Sequence, residues 1–79
     1  NEMHQEDRMI RGQSCRLARQ MLELIPYEQR ETIVLRLYGN MSFKQIASLT
    51  GVSLNTSLGR MRYGLINLRK VMREKKVTL

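Results

Sequence analysis

Residues Ser42 to Arg69 read SFKQIASLTGVSLNTSLGRMRYGLINLR, and this stretch decides the fold. Ser42 and Gln45 have the Ser-x-x-Gln spacing of a capping box, in which each side chain satisfies an open amide of the other at a helix start. Phe43, Ile46, Ala47 and Leu49 supply the apolar side of a short helix. Thr50-Gly51 stops it, because glycine takes the left-handed backbone that ends many helices without a steric cost. Val52 is placed to plug the turn into a core. Ser53 is the expected N-cap of a longer basic helix that runs to about Arg73. A short capped helix, a tight turn containing glycine and a longer helix form a helix-turn-helix, with small Ala47 where the two helices would cross. A generic helical hairpin would share the pattern.

The longer helix contains two glycines, Gly59 and Gly64. Each costs about 1 kcal/mol relative to alanine in a helix interior. At about 100° per residue, Ser57, Met61, Gly64, Leu68, Val71 and Met72 fall on one side, flanked by Leu54 and Leu65. That is the core stripe, and a missing side chain at Gly64 lets another helix approach closely. Asn55, Gly59, Arg62 and Ile66 fall on the other side, with Tyr63, Arg69 and Lys70 at its edges. Nothing inside the domain requires Gly59 to be small. A nucleic-acid groove does, because a helix entering the major groove brings its N-terminal half against base edges. The alternative is an incidental surface glycine.

The expected base-facing residues are therefore Asn55, Leu58, Gly59, Arg62 and Tyr63, since Asn suits adenine and Arg suits guanine. The expected phosphate contacts are Lys44, Thr56, Arg60 and Arg69, with the backbone amides at Ser42, because a helix N-terminus attracts anions. Taken singly, each Lys or Arg is equally well a solvated side chain.

Upstream, Ile10, Ser14, Leu17, Ala18, Met21, Leu22 and Ile25 recur at helical steps and predict a leading helix over 7–25, after a frayed 1–6. Pro26 ends it and suits the first turn of a second helix over 26–39. Glu28 and Glu31 favour that helix's positive end. Ile33, Val34 and Leu37 are its expected buried face, and Gly39-Asn40 its stop. Arg30 and Glu31 are expected to tie this helix to a neighbour. Residues 74–79 are expected to form a basic tail. No stretch alternates as a strand would. The fold class is all-α, a four-helix domain ending in a helix-turn-helix.

The chain has 79 residues and a net charge of +7. That length suits one domain with a small core. Asn1 to Gly39 holds six Arg and six acids, whereas Asn40 to Leu79 holds eight Lys or Arg and one acid, Glu74. The net charge thus belongs to the second half, which points to one surface for a polyanion. Cys15 is the sole cysteine, which excludes a disulfide framework or a thiolate zinc site and fits the cytoplasm. It is expected to be a small buried hydrophobe. No signal peptide or membrane-crossing run is evident. A start at Asn1 is expected of a piece of a longer protein. Catalysis finds no support: His4 is isolated, Cys15 has no activating His, and Glu28 and Glu31 lack a pocket. No cofactor or metal is implied.

Ile25-Pro26, Gln29-Arg30-Glu31, Gly39, Ser42, Ile46-Ala47, Gly51-Val52-Ser53, Thr56, Arg60 and Leu68-Arg69 occur in an order that resembles region 4 of sigma-70-like RNA polymerase sigma factors. The likeness is strongest to the short extracytoplasmic-function type and spans Leu24 to Arg69. It implies binding to the promoter −35 element of double-stranded DNA through the last helix. It also implies docking on the β-subunit flap of the RNA polymerase core and, in many such factors, restraint by an anti-sigma factor. Leu58 departs from the family, which often places a cation there, so base preference does not transfer. Two other readings compete. One is a LuxR-type helix-turn-helix output domain. The other is an interaction module whose basic amphipathic helix, Arg60 to Lys76, binds an acidic protein or an anionic membrane.

Overall fold

A computed structural model describes residues 15–77. The expected fraying of 1–6 and the start of the leading helix lie outside the described residues. Within them the chain is four helices and no strand: α1 over residues 15–22, α2 over Tyr27–Leu37, α3 over Phe43–Thr50 and α4 over Leu54–Glu74. α4 is the backbone of the assembly and packs against both α2 and α3.

α1 ends earlier than the apolar spacing predicts. The Leu24 and Ile25 amides donate to carbonyls three residues back, on Met21 and Leu22, in a tightened last turn. The residue before a proline is driven out of the helical region, so Pro26 exerts its effect upstream of itself. Pro26 is then the N-cap of α2 rather than a member of its first turn, with φ −55° and ψ 145°.

The buried side of α2 differs from the expected one. Thr32 and Ile33 are buried, but Val34 is on the surface and Leu37 is 62% exposed. Gln29 and Ile33 lie against Gly64 of α4, so the contact stripe is rotated toward Gln29, Thr32, Ile33 and Arg36. Buried Thr32 is tolerated because its hydroxyl donates to the Glu28 carbonyl at 2.9 Å. Among the described residues, Arg30 and Glu31 make their contacts inside α2 and not to a neighbouring helix. Glu31 accepts from the Tyr27 hydroxyl at 2.8 Å, and the Arg30 guanidinium lies 5.5 Å from the Tyr27 ring centre. The bond to Glu31 holds the Tyr27 phenol above its ordinary pKa.

Gly39 does not end α2 in the expected way. The left-handed residue is Asn40, with φ 52°, a conformation that Asn tolerates better than most residues. Gly39 is needed for space instead, since a Cβ there would stand 2.7 Å from the Leu35 carbonyl oxygen. Beyond it, Arg36 clamps the start of α3. Its guanidinium donates to the Met41 carbonyl at 2.9 Å and lies 5.0 Å from the Phe43 ring centre.

The start of α3 is the predicted capping box. The Ser42 hydroxyl accepts from the Gln45 amide, and the Gln45 side chain accepts from the Ser42 amide. Gly51 ends the helix in the left-handed region at φ 71°, and the Val52 amide donates back to Ala47. Ile46 and Ala47 are buried, whereas Leu49, expected inward, is 65% exposed. The inward stripe is Phe43, Ile46, Ala47 and Thr50, at steps of three and four, and Leu49 falls off it.

Ser53 caps α4 as predicted, accepting from the Thr56 amide. Leu22, Ile25 and Ile33 form the buried cluster, and Met61, Leu65, Leu68 and Val71 of α4 pack on it. Gly64 is buried where the helices cross. A Cβ there would stand 2.9 Å from Cδ1 of Ile33 and 3.2 Å from Cβ of Gln29. Beside this contact, Asn67 of α4 donates to the Gln29 side chain of α2 at 2.7 Å. Ser57 is fully buried and its hydroxyl has no hydrogen-bond partner.

The far end of α4 closes with a backbone cap inside the 74–79 stretch expected to be a basic tail, of which 78–79 lie outside the described residues. The Val77 amide donates to Met72 and the Lys76 amide to Arg73, with Lys76 left-handed at φ 54°. This is a Schellman ending with lysine in the position that usually holds glycine. Cys15, expected to be buried, is exposed.

Candidate nucleic-acid interface

α3, the turn at 51–53 and α4 define a helix-turn-helix, the class of DNA-binding fold in which the second helix reads the major groove. The core stripe fixes which side of that helix is offered outward. With Ser57 and Gly64 buried, Asn55, Leu58, Arg62 and Tyr63 are all exposed on the remaining surface. Gly59 lies among them, half-buried by its neighbours. A Cβ built on it would meet nothing within 4 Å. The structure therefore brings the five expected base-facing residues together on one exposed side, with open space at their centre.

Their spacing suits a groove. Asn55 and Arg62 are seven residues apart, about 10 Å along a helix. The major groove is about 12 Å wide. Arg69 lies a further two turns along α4, on its exposed surface. α4 carries five cations, Arg60, Arg62, Arg69, Lys70 and Arg73, against Glu74 alone. All but half-buried Arg60 are exposed. Arg69 and Arg73 flank a shallow groove floored by Ile66, Met72 and Val77.

The expected phosphate contacts divide between two helices. Lys44 is exposed on the first turn of α3. Ser42 is exposed too, but its amide and that of Gln45 are engaged in the capping box. The amides available to an anion there are those of Phe43 and Lys44. Thr56 accepts from the Ser53 hydroxyl at 3.0 Å, which leaves its own hydroxyl proton to donate. Among the described residues, no group of three or more His, Cys, Asp or Glu is placed to hold a metal ion. None of the described helices is long and apolar enough to cross a membrane.

Sequence reasoning missed the residues that aim this surface. The Asn67–Gln29 bond fixes α4 against α2, and Arg36 fixes α3 against the end of α2. Asn67 does leave a trace, as a polar residue between the core positions Gly64 and Leu68, but the identity of its partner does not.

Comparison with family models places the chain. The model described as Sigma-70, region 4 matches residues 15–57, more than half of the sequence. The chain belongs to the sigma-70 region 4 family, a family of DNA-binding transcription domains of sigma factors rather than of enzymes. Searches of curated proteins and of solved structures returned no significant match.

Proposed function

We propose that this chain binds the −35 element of a promoter as part of a sigma factor that directs RNA polymerase to initiate transcription. α4 enters the major groove with Asn55, Leu58, Gly59, Arg62 and Tyr63 toward the bases. Ser42, Lys44, Thr56, Arg60 and Arg69 position it on the phosphates. The observation that carries this reading is the open space at Gly59 on the exposed, cationic side of α4. The helix tolerates a destabilising residue there for which the interior has no use. Exposed apolar side chains at Val34, Leu37 and Leu49 favour docking on the β-subunit flap of the core polymerase. An anti-sigma factor covering either surface would silence the protein, which works in the cytoplasm. The family match favours this reading over a LuxR-type output domain.

Duplex binding by Arg62→Ala tests it. The variant loses about 1–3 kcal/mol on the preferred site and its preference at that position relaxes. An equal loss on random duplex would remove Arg62 from base reading. Transcription by core polymerase with the native factor tests the wider role, and no promoter-dependent start would overturn it.

A further inference from the structure

Leu58 stands on the same side of α4 as the proposed base-facing residues. It is 42% exposed on the outward side of α4, between Asn55 and Arg62 and directly before Gly59. It is not among the α4 residues that pack on the buried cluster, which are Met61, Leu65, Leu68 and Val71. It has no charge for a phosphate and no donor or acceptor for a polar base edge. Pressed against such an edge, it would strip water from a polar group and give nothing back. The major groove holds one kind of apolar group, the C5-methyl of thymine.

Reach is the second constraint. Leucine is shorter than the lysine or arginine that would contact a phosphate, so it touches a base only if the helix backbone lies close to the groove floor. The next residue provides that approach, because Gly59 has no side chain and the space its Cβ would fill is empty. A short apolar side chain beside a bare stretch of backbone is a matched pair. Either alone would be an ordinary surface feature.

We infer that Leu58 and Gly59 form a thymine-selecting notch, in which Leu58 packs on a thymine methyl and Gly59 lets α4 come near enough for the contact. The inference rests on the proposed entry of α4 into a duplex and adds the base that this turn selects.

The test uses holoenzyme reconstituted with the native sigma factor and a duplex selected from a random pool. Each thymine is replaced in turn by deoxyuridine, which deletes the methyl and keeps every base-pair hydrogen bond. At one or two positions the wild type binds the deoxyuridine duplex about fourfold more weakly, the worth of one buried methyl-sized group. L58A binds the two duplexes equally there, and L58M, still apolar, retains most of the discrimination. G59A weakens binding to the thymine duplex and brings the ratio toward one. Sequence-specific binding with a flat deoxyuridine scan would overturn the notch and leave promoter reading intact. So would an L58A protein that kept the full ratio. Wild-type binding without any sequence preference would instead bring down promoter reading, and the notch with it.

Discussion

Gly59 and Gly64 lie five residues apart on one helix and have opposite surroundings. At Gly64 a single added carbon meets Ile33 and Gln29 of α2, whereas at Gly59 it meets nothing within 4 Å. Both positions carry the same intrinsic helix penalty, about 1 kcal/mol against alanine. At Gly64 the penalty is offset inside the protein, by the close approach of α2 and the core contacts that follow from it. At Gly59 no such return exists within the described residues. A destabilising residue without an internal use is what the proposed entry of α4 into a groove requires, and Arg60 and Arg62 lie beside it on the same helix.

The comparison can be broken most forcefully at the inward position. Gly64→Leu should destabilise the fold by about 3 kcal/mol, because it overpacks a helix crossing already at contact distance. Urea denaturation would measure this, and a midpoint unchanged from wild type would show that α2 and α4 do not meet there. Gly59→Leu should leave the midpoint the same or higher.

Ser57 sharpens the inward side. It is fully buried on the inward side of α4, about two turns before Gly64, and its hydroxyl has no partner, so the site requires a small group rather than a polar one. Ser57→Ala should raise stability by about 1 kcal/mol, as expected when an unsatisfied buried hydroxyl is removed. Thermal melts would read the gain, and a loss of similar size would reveal a hydrogen bond to that oxygen.

Gly59→Ala then separates stability from function at the outward position. The fold should gain up to about 1 kcal/mol from the better helix former, while affinity for the preferred duplex falls. Paired melting and binding measurements decide it. A variant that gained in stability and kept full affinity would reduce Gly59 to an accident of the surface.

The mildest expected change is at Lys44, on α3 and away from both glycines. Lys44→Ala should weaken all duplexes alike and lower the salt dependence by about one unit of slope. An unaltered slope would remove Lys44 from the phosphate contacts.

Much of this arrangement was legible in the residue order, for local reasons. The Ser42–Gln45 box, the left-handed stop at Gly51 and the Ser53 cap are bonded within a few residues of themselves, so their chemistry is written where it acts. The inward side of α4 was equally plain, because Ser57, Met61, Gly64, Leu68 and Val71 recur at helical steps and no cation falls among them, although apolar Leu58 and Ile66 stand on the outward side. The α2 helix was harder to read. It has apolar residues at Ile33, Val34, Leu35 and Leu37, on more than one side, and nothing local says which of them a neighbour will cover.

The sequence by itself determined where the helices of the helix-turn-helix start and stop, which side of α4 faces inward, and that the positive charge lies in the second half. These follow from hydrogen bonds across a few residues, from 3.6-residue periodicity and from simple counting. Tertiary structure alone decided that Thr32 rather than Leu37 is buried, that Asn67 bonds Gln29, that Asn40 rather than Gly39 turns left-handed, and that Cys15 and Leu49 are exposed. Each of these outcomes depends on how one segment is covered, held or redirected by another. The free energy of such contacts belongs to the pair and cannot be assigned from one segment alone.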